Sequence, residues 1–97
     1  MEDNAVTLKL SLQRALSGEV TENLIAVTAR IDRSKILIRA YYDHQATEYE
    51  TERISLVATE VVADFPDSFS VDEQVRLIGG KDDLEVLDFW AYRRSGV

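Results

Sequence analysis

The spacing of apolar residues alternates between a helical and a strand period along this chain, and this order limits the folds it can adopt. Between about residues 7 and 17, apolar side chains recur every three or four positions, which predicts an amphipathic helix. Gly18 follows where a left-handed C-terminal cap is expected. Residues 24–31 and 35–42 then alternate with a period of two, and a short polar break separates them. These two segments therefore predict strands joined as an antiparallel hairpin.

A second helix is predicted between about residues 48 and 65, where the helical period returns. Its apolar positions lie within about 80° of one another at about 100° per residue, and they are Ile54, Val57, Ala58, Val61 and Phe65. Pro66 is expected to end this helix. A third strand is predicted to include residues 74–78, and a fourth to span about residues 85–92, with a loop at residues 79–83 between them.

The resulting order is α-β-β-α-β-β, which predicts an α+β fold. Because both strand pairs are sequential, we expect a four-stranded antiparallel sheet with both helices packed on one face. The 97 residues are enough for a single domain, residues 1–97, with one modest hydrophobic core.

Composition excludes several kinds of site and location. The chain has no cysteine, so disulfides, thiolate metal sites and cysteine nucleophiles are excluded. No apolar run approaches the roughly 20 residues of a membrane span. The N-terminus is acidic, unlike the basic start of a signal peptide. We therefore expect a cytoplasmic protein that does not bind a membrane.

Charge is distributed unevenly along the chain. Residues 43–88 carry thirteen acidic and three basic side chains, whereas residues 1–42 carry five acidic and six basic ones. Together with Arg93 and Arg94, these give a formal net charge of −7. Excess negative charge repels the phosphates of nucleic acids and attracts basic surfaces. The distribution therefore argues against nucleic-acid binding and predicts a basic protein partner.

Exposed acidic residues are the candidate partner-binding residues. Charge and helix geometry select Asp43, Glu48, Glu52, Glu60, Asp64 and Asp67. Two of these allow further interpretations. With Arg53, Glu60 and Asp64 lie beside the apolar stripe of the second helix, where a salt-bridge network would tie this helix to the sheet. Paired carboxylates can also act as acid and base, which requires a cleft and two unequal environments.

Other polar residues give weaker signals. His44, the single histidine, is interpreted as a surface residue because no nucleophile motif accompanies it. The acidic turn at residues 82–85 lacks the spacing of an EF-hand loop, and the glycines before it fail the phosphate-loop pattern. We therefore expect no metal ion and no cofactor. Four basic side chains can form a local patch on the sheet face that the helices leave open: Arg30, Arg39, Arg76 and Arg93.

Four segments, in this order, resemble a family of small bacterial proteins with an αββαββ plan: residues 12–20, 36–43, 57–67 and 90–94. The most specific of them runs from Val57 to Asp67. The family is associated with immunity proteins of contact-dependent growth inhibition and related polymorphic toxin systems. The resemblance implies a non-enzymatic protein that binds a cognate toxin domain, often a basic nuclease, and blocks its active site or substrate surface.

The residues alone also allow a different function. The chain can also be a non-catalytic interaction module unrelated to toxins. For example, two copies can form a homodimer through their sheet edges or their open sheet faces. A gene for a large secreted toxin immediately upstream would distinguish the two functions in favour of immunity.

Overall fold

The computed structural model of the protein describes residues 4–79 and 84–96. Its elements follow the predicted order: α1 (Asn4–Leu16), β1 (Leu24–Asp32), β2 (Lys35–Tyr42), α2 (Glu48–Ala63), β3 (Ser70–Leu77) and β4 (Phe89–Arg93). The predicted α+β fold class is therefore confirmed. Gly18 has a φ of 83°, so the left-handed turn predicted after α1 is present. Apart from Gly79, the loop predicted at residues 79–83 lies outside the described residues.

The sheet is mixed, and its strand order is β3-β2-β1-β4. β1 pairs antiparallel with β2 and with β4, but β3 pairs with β2 in parallel. The prediction of an entirely antiparallel sheet, with β3 and β4 as a second hairpin, is therefore wrong. α2 connects β2 to β3 and packs on the sheet. A helical connection of this kind brings the chain back to the end of the sheet at which β2 begins. β3 therefore runs in the same direction as β2, and β4 takes the other edge, beside β1.

Both helices contribute to one core on one face of the sheet, as expected. The apolar stripes predicted for them are buried, including Leu8 and Leu12 of α1 and Val57 of α2. They pack with alternate residues of the central strands, such as Val27 and Ile38. Burial of a large apolar side chain contributes about 1.5–3 kcal/mol. This cluster is therefore the main source of stability, and it fixes the orientation of α2.

The sheet face opposite the helices carries a smaller apolar cluster. Its buried members are Ile25, Ala26, Tyr41 and Ile78. Trp90 and Leu84 pack against them. The hydroxyl of Tyr41 donates a 2.9 Å hydrogen bond to the backbone carbonyl of Glu85, so the segment before β4 is held against this face.

β4 begins at Phe89, later than the predicted start at about residue 85. The cause is the buried side chain of Thr28 on β1. Its Oγ1 accepts a 2.8 Å hydrogen bond from the N–H of Leu87 and donates a 2.7 Å bond to the carbonyl of Phe89. The pairing of β1 with β4 shifts register between Val27 and Thr28. The hydroxyl of Thr28 therefore replaces backbone hydrogen bonds that would otherwise join β1 to the residues before β4.

α2 begins with a capping box. Oγ1 of Thr47, the N-cap residue, accepts a 3.1 Å hydrogen bond from the N–H of Glu50. In return, the Glu50 carboxylate accepts a 2.9 Å bond from the N–H of Thr47. These two bonds fix the first turn of α2 and thereby the direction of the acidic side chains that follow.

Candidate partner-binding surface

One row of side chains on α2 points away from the core. Glu48, Glu52, Leu56 and Glu60 follow one another at intervals of four residues, so they form a line along the helix, and all four are exposed. Tyr49 lies beside this line. Tyr49 and Leu56 are 60% and 45% exposed, which is high for apolar side chains of their size. We call these five residues the outer face of α2.

The outer face is negatively charged. The carboxylates of Glu48, Glu52 and Glu60 form no ion pair with any residue of the described ranges 4–79 and 84–96. Two of the three lie one turn apart, where like charges add rather than cancel. The outer face therefore combines unneutralised acids with exposed apolar surface.

The single base of α2, Arg53, does not neutralise this face. Its Nε lies 3.5 Å from Oε2 of Glu19, in the turn after α1. Both of these atoms are buried, and neither has a hydrogen bond within the described part of the chain. The guanidinium carbon also lies 4.8 Å from the ring centre of Tyr49. Arg53 therefore pairs with the turn after α1, and its guanidinium lies over the ring of Tyr49.

Asp43, a predicted contact residue, is bound within the chain. Its Oδ2 accepts a 3.0 Å hydrogen bond from Nη1 of Arg94, and its Oδ1 lies 3.0 Å from Nδ1 of His44. Arg94 also donates a 3.1 Å bond to the carbonyl of Glu22. The hydrogen bond from Arg94, followed by that from His44, holds the pKa of Asp43 below its usual range. Asp43 thus ties the C-terminal segment to the end of β2.

Asp64 is also bound within the chain. It is the C-cap residue of α2, and its carboxylate accepts a 2.6 Å hydrogen bond from Oγ of Ser11 and another from the guanidinium of Arg14. The bond from Ser11 and then that from Arg14 hold the pKa of Asp64 below its usual range. The network predicted at this edge therefore connects α2 to α1 and not to the sheet, because α1 lies beside α2 on the same sheet face.

Glu60 and Asp64 lie close together, but Asp64 is not suited to act as a general acid. Both line a cavity of about 470 Å³ between the two helices, together with Arg14. A general acid needs a raised pKa, but Asp64 has a lowered one because Ser11 and Arg14 bind its carboxylate.

Asp67, the last of the predicted contact residues, is exposed in the turn between α2 and β3, beyond the end of the outer face.

The match to known proteins decides the family. A family model described as MafI2 immunity protein matches residues 5–96, which contain all six elements of the fold except Asn4, the first residue of α1. The chain belongs to this family. No curated protein matches the chain. The predicted resemblance to toxin immunity proteins is therefore confirmed at the level of the family.

Glu50 of this MafI2 protein was not among the predicted partner-binding residues. Glu50 is 4% exposed, and its carboxylate contacts Thr47, Thr21 and His44. Burial would raise the pKa of Glu50, but the hydrogen bonds from Thr47, Thr21 and His44 outweigh it, and the pKa lies below its usual range. The three-residue spacing from Thr47 to Glu50 is the sequence signal that identifies such a capping box.

The basic patch predicted on the open sheet face is divided. Arg39 and Arg76 are brought together at one place, since both contact the same neighbouring side chain. The guanidinium of Arg93 lies 5.1 Å from the ring centre of Trp90. Arg30 lines a separate cavity near the other end of the face. Only the first pair of arginines therefore forms a local cluster.

Among residues 4–79 and 84–96, no group of three or more histidine or acidic side chains is arranged to hold a metal ion. No helix in these ranges is long and apolar enough to cross a membrane. Residues 82 and 83 of the predicted acidic turn lie outside the described residues.

Proposed function

We propose that this MafI2 family member neutralises a cognate toxin domain in the cytoplasm by binding it through the outer face of α2. Family membership supports the class of partner. The observation that supports the surface is the row of three unneutralised carboxylates around the exposed Leu56 and Tyr49. The chemistry of this surface suits a basic protein with an accessible apolar patch.

The two components of the outer face make different contributions to binding. Complementary charge raises the association rate, from about 10⁵–10⁶ M⁻¹s⁻¹ to about 10⁸–10⁹ M⁻¹s⁻¹ in strongly steered complexes at low salt. Buried aromatic and apolar anchors near the centre of an interface mainly slow dissociation. The glutamates are therefore proposed to guide the toxin, and Tyr49 with Leu56 to hold it.

A nuclease is the toxin class that this surface fits best. A nuclease must grip phosphate with basic side chains, so its substrate surface attracts an acidic protein. A protein bound there excludes nucleic acid, and inhibition then requires no catalysis by the immunity protein. Asp67 is proposed as a peripheral contact that extends the negative surface beyond α2. Asp43 and Asp64 are proposed to support the fold, since their carboxylates are bound within the chain.

The test compares binding of the purified product of the adjacent toxin gene to the wild-type protein and to a triple variant, Glu48→Lys, Glu52→Lys and Glu60→Lys. We expect the variant to associate at least about ten-fold more slowly at low salt, with a smaller difference at high salt. The matched control carries the same change at Asp32, Asp72 and Asp88, which are exposed and line a cavity away from α2.

Two results would count against this function in different ways. If the wild-type protein forms no complex with the toxin at micromolar concentrations, the immunity function is rejected. If the control triple variant slows association as much as the outer-face variant, binding through α2 is rejected. Circular dichroism and thermal unfolding confirm that all variants are folded before binding is compared.

A further inference from the structure

Two arginines on the open sheet face share one neutral acceptor. Nε of Arg39 donates a 2.8 Å hydrogen bond to Oε1 of Gln74, and Nη2 of Arg76 donates a 3.3 Å bond to the same atom. The parallel pairing of β2 with β3 produces this arrangement, because it places Gln74 opposite Arg39 and Arg76 opposite Tyr41. Two guanidinium groups are therefore held side by side.

Within the described residues, no ion pair neutralises the positive charge of these two arginines, Arg39 and Arg76. A guanidinium group has five N–H donors, and one amide oxygen satisfies only a small part of them. Like charges at short distance repel each other. An anion that binds both groups would relieve this repulsion.

Arg39 is held in place by a buried anchor. Its Nη1 donates a 3.3 Å hydrogen bond to the hydroxyl of Tyr41, which in turn contacts the backbone carbonyl and N–H of Glu85 at 2.9 and 3.3 Å. Tyr41 is only 3% exposed. Because the anchor is buried and fully engaged, the guanidinium of Arg39 is preorganised and loses little entropy when it binds a ligand.

A cavity of about 320 Å³ lies next to the two arginines. Arg39, Arg76 and Tyr41 line it, and the buried Ile78 provides an apolar wall. An apolar wall beside paired guanidinium groups matches the side chain of an aspartate or glutamate, which has a hydrocarbon stem and two charged oxygens. Glu85 also lines the cavity and opposes an incoming anion, but the two arginines outnumber it.

We propose that Arg39 and Arg76 form a binding site for a carboxylate carried by an acidic segment of a partner protein. The planar donors of guanidinium match the two oxygens of a carboxylate, which an ammonium group would not do. The site lies on the sheet face opposite α2. The site is therefore separate from the outer face, and either proposal can be rejected by its own test without affecting the other.

The test uses a terminally blocked peptide of glutamates as the probe and a peptide of glutamines of equal length for comparison. The nitrogen–hydrogen NMR signals of the Arg39 and Arg76 side chains report binding in the ¹⁵N-labelled protein. We expect the glutamate peptide to shift both signals to saturation and the glutamine peptide to leave them unchanged. Equal shifts with both peptides would overturn the site.

Three variants sharpen this test. Arg76→Gln is expected to weaken peptide binding at least about five-fold, because it removes one of the two charge-assisted contacts. Arg30→Gln removes the same charge from the same sheet face and is expected to change binding less than about two-fold. Glu85→Gln is expected to strengthen binding, because it removes the opposing carboxylate.

Other results would assign the site differently. If Arg30→Gln weakens binding as much as Arg76→Gln, the interaction is general attraction to the face and the site is overturned. If inorganic phosphate binds as tightly as the glutamate peptide, the ligand is a free anion and not a protein segment. If the protein dimerises with concentration and Arg76→Gln abolishes dimerisation, the acidic segment belongs to a second copy and a separate partner is ruled out.

Discussion

The hydroxyl of Ser11 donates a 2.6 Å hydrogen bond to the carboxylate of Asp64, which joins α1 to the C-terminal end of α2. Ser11 is only 2% exposed, so this acceptor is the partner that its buried hydroxyl requires. Arg14, three residues later on α1, donates to the same carboxylate. The charge of Asp64 therefore stabilises the contact between the two helices.

We expect Asp64→Ala to lower the free energy of unfolding by about 1–3 kcal/mol, because it leaves the buried hydroxyl of Ser11 without an acceptor. Chemical denaturation measures this change. Asp67→Ala removes an exposed acid three residues away and is expected to change stability by less than about 0.5 kcal/mol. The double variant with Ser11→Ala should cost less than the sum of the two single changes. An unchanged denaturation midpoint for Asp64→Ala would show that the bond contributes nothing.

His44 links two carboxylates at the junction of β2 and α2. Its Nδ1 lies 3.0 Å from Oδ1 of Asp43, and its Nε2 lies 3.2 Å from Oε1 of Glu50. The hydrogen bond with Asp43 has the largest effect on the pKa of His44. Burial opposes it, the contact with Glu50 adds to it, and the pKa is raised. A raised pKa stabilises the fold fully below the unfolded pKa of about 6.5, and this contribution is lost as the pH rises through the folded pKa.

The stability difference between the wild-type protein and His44→Gln should therefore depend on pH. We expect it to be largest below about pH 6 and to shrink as the pH rises above about 6.5. Asp43 and Glu50 keep their charge across this range because both have lowered pKa values. Denaturant titrations at a series of pH values measure the difference, with Gln45→Ala as a neighbouring change that does not titrate. A difference that stays constant with pH would mean that His44 has the same pKa in the folded and the unfolded protein, so that Asp43 and Glu50 do not stabilise its charge.

The helices and strands were predictable because their signal is local. The stripe through Ile54, Val57 and Val61 needs only the period of the helix, and the structure confirms that these residues are buried. The strand order was not predictable in the same way. A hairpin between β3 and β4 and a crossover from β2 through α2 to β3 have the same local pattern, and the choice depends on where α2 packs.

The partners of the acidic residues were not predictable from local sequence either. Sequence identifies a carboxylate, but the partner that neutralises it can be distant: Arg94 lies 51 residues from Asp43, and Ser11 lies 53 residues from Asp64. Contacts of this length arise only from the fold. The capping bond between Thr47 and Glu50 spans three residues, so the sequence did contain the information needed to predict it.

The position of β4 depends on the hydroxyl of Thr28, which is fully buried and bonded to backbone groups of Leu87 and Phe89. We expect Thr28→Val to lower the free energy of unfolding by about 2–4 kcal/mol, because two backbone groups lose their partner. Thr28→Ser keeps the hydroxyl and should cost only about 1 kcal/mol for the lost methyl group. Hydrogen exchange at the Leu87 amide should accelerate in the valine variant alone. Equal costs for valine and serine would show that the bonds of the hydroxyl contribute no more to stability than the methyl group does.

The contribution of the apolar residues of the outer face to toxin binding can be measured separately from that of its charged residues. We expect Leu56→Ala and Tyr49→Ala to raise the dissociation rate of the toxin complex about ten-fold, because truncation of a buried anchor acts mainly on dissociation. Association rates and their salt dependence should stay unchanged, since no formal charge is altered.

Leu77→Ala is the matched control, because Leu77 is a 60% exposed leucine on β3. Leu56 and Leu77 are 45% and 60% exposed in the free protein, so neither change should alter its thermal stability appreciably. A slower association rate in the Leu56 variant, with an unchanged dissociation rate, would show that this residue helps to guide the toxin and does not anchor it. An equal effect of Leu77→Ala would place the toxin contact at the β3 edge instead of on α2.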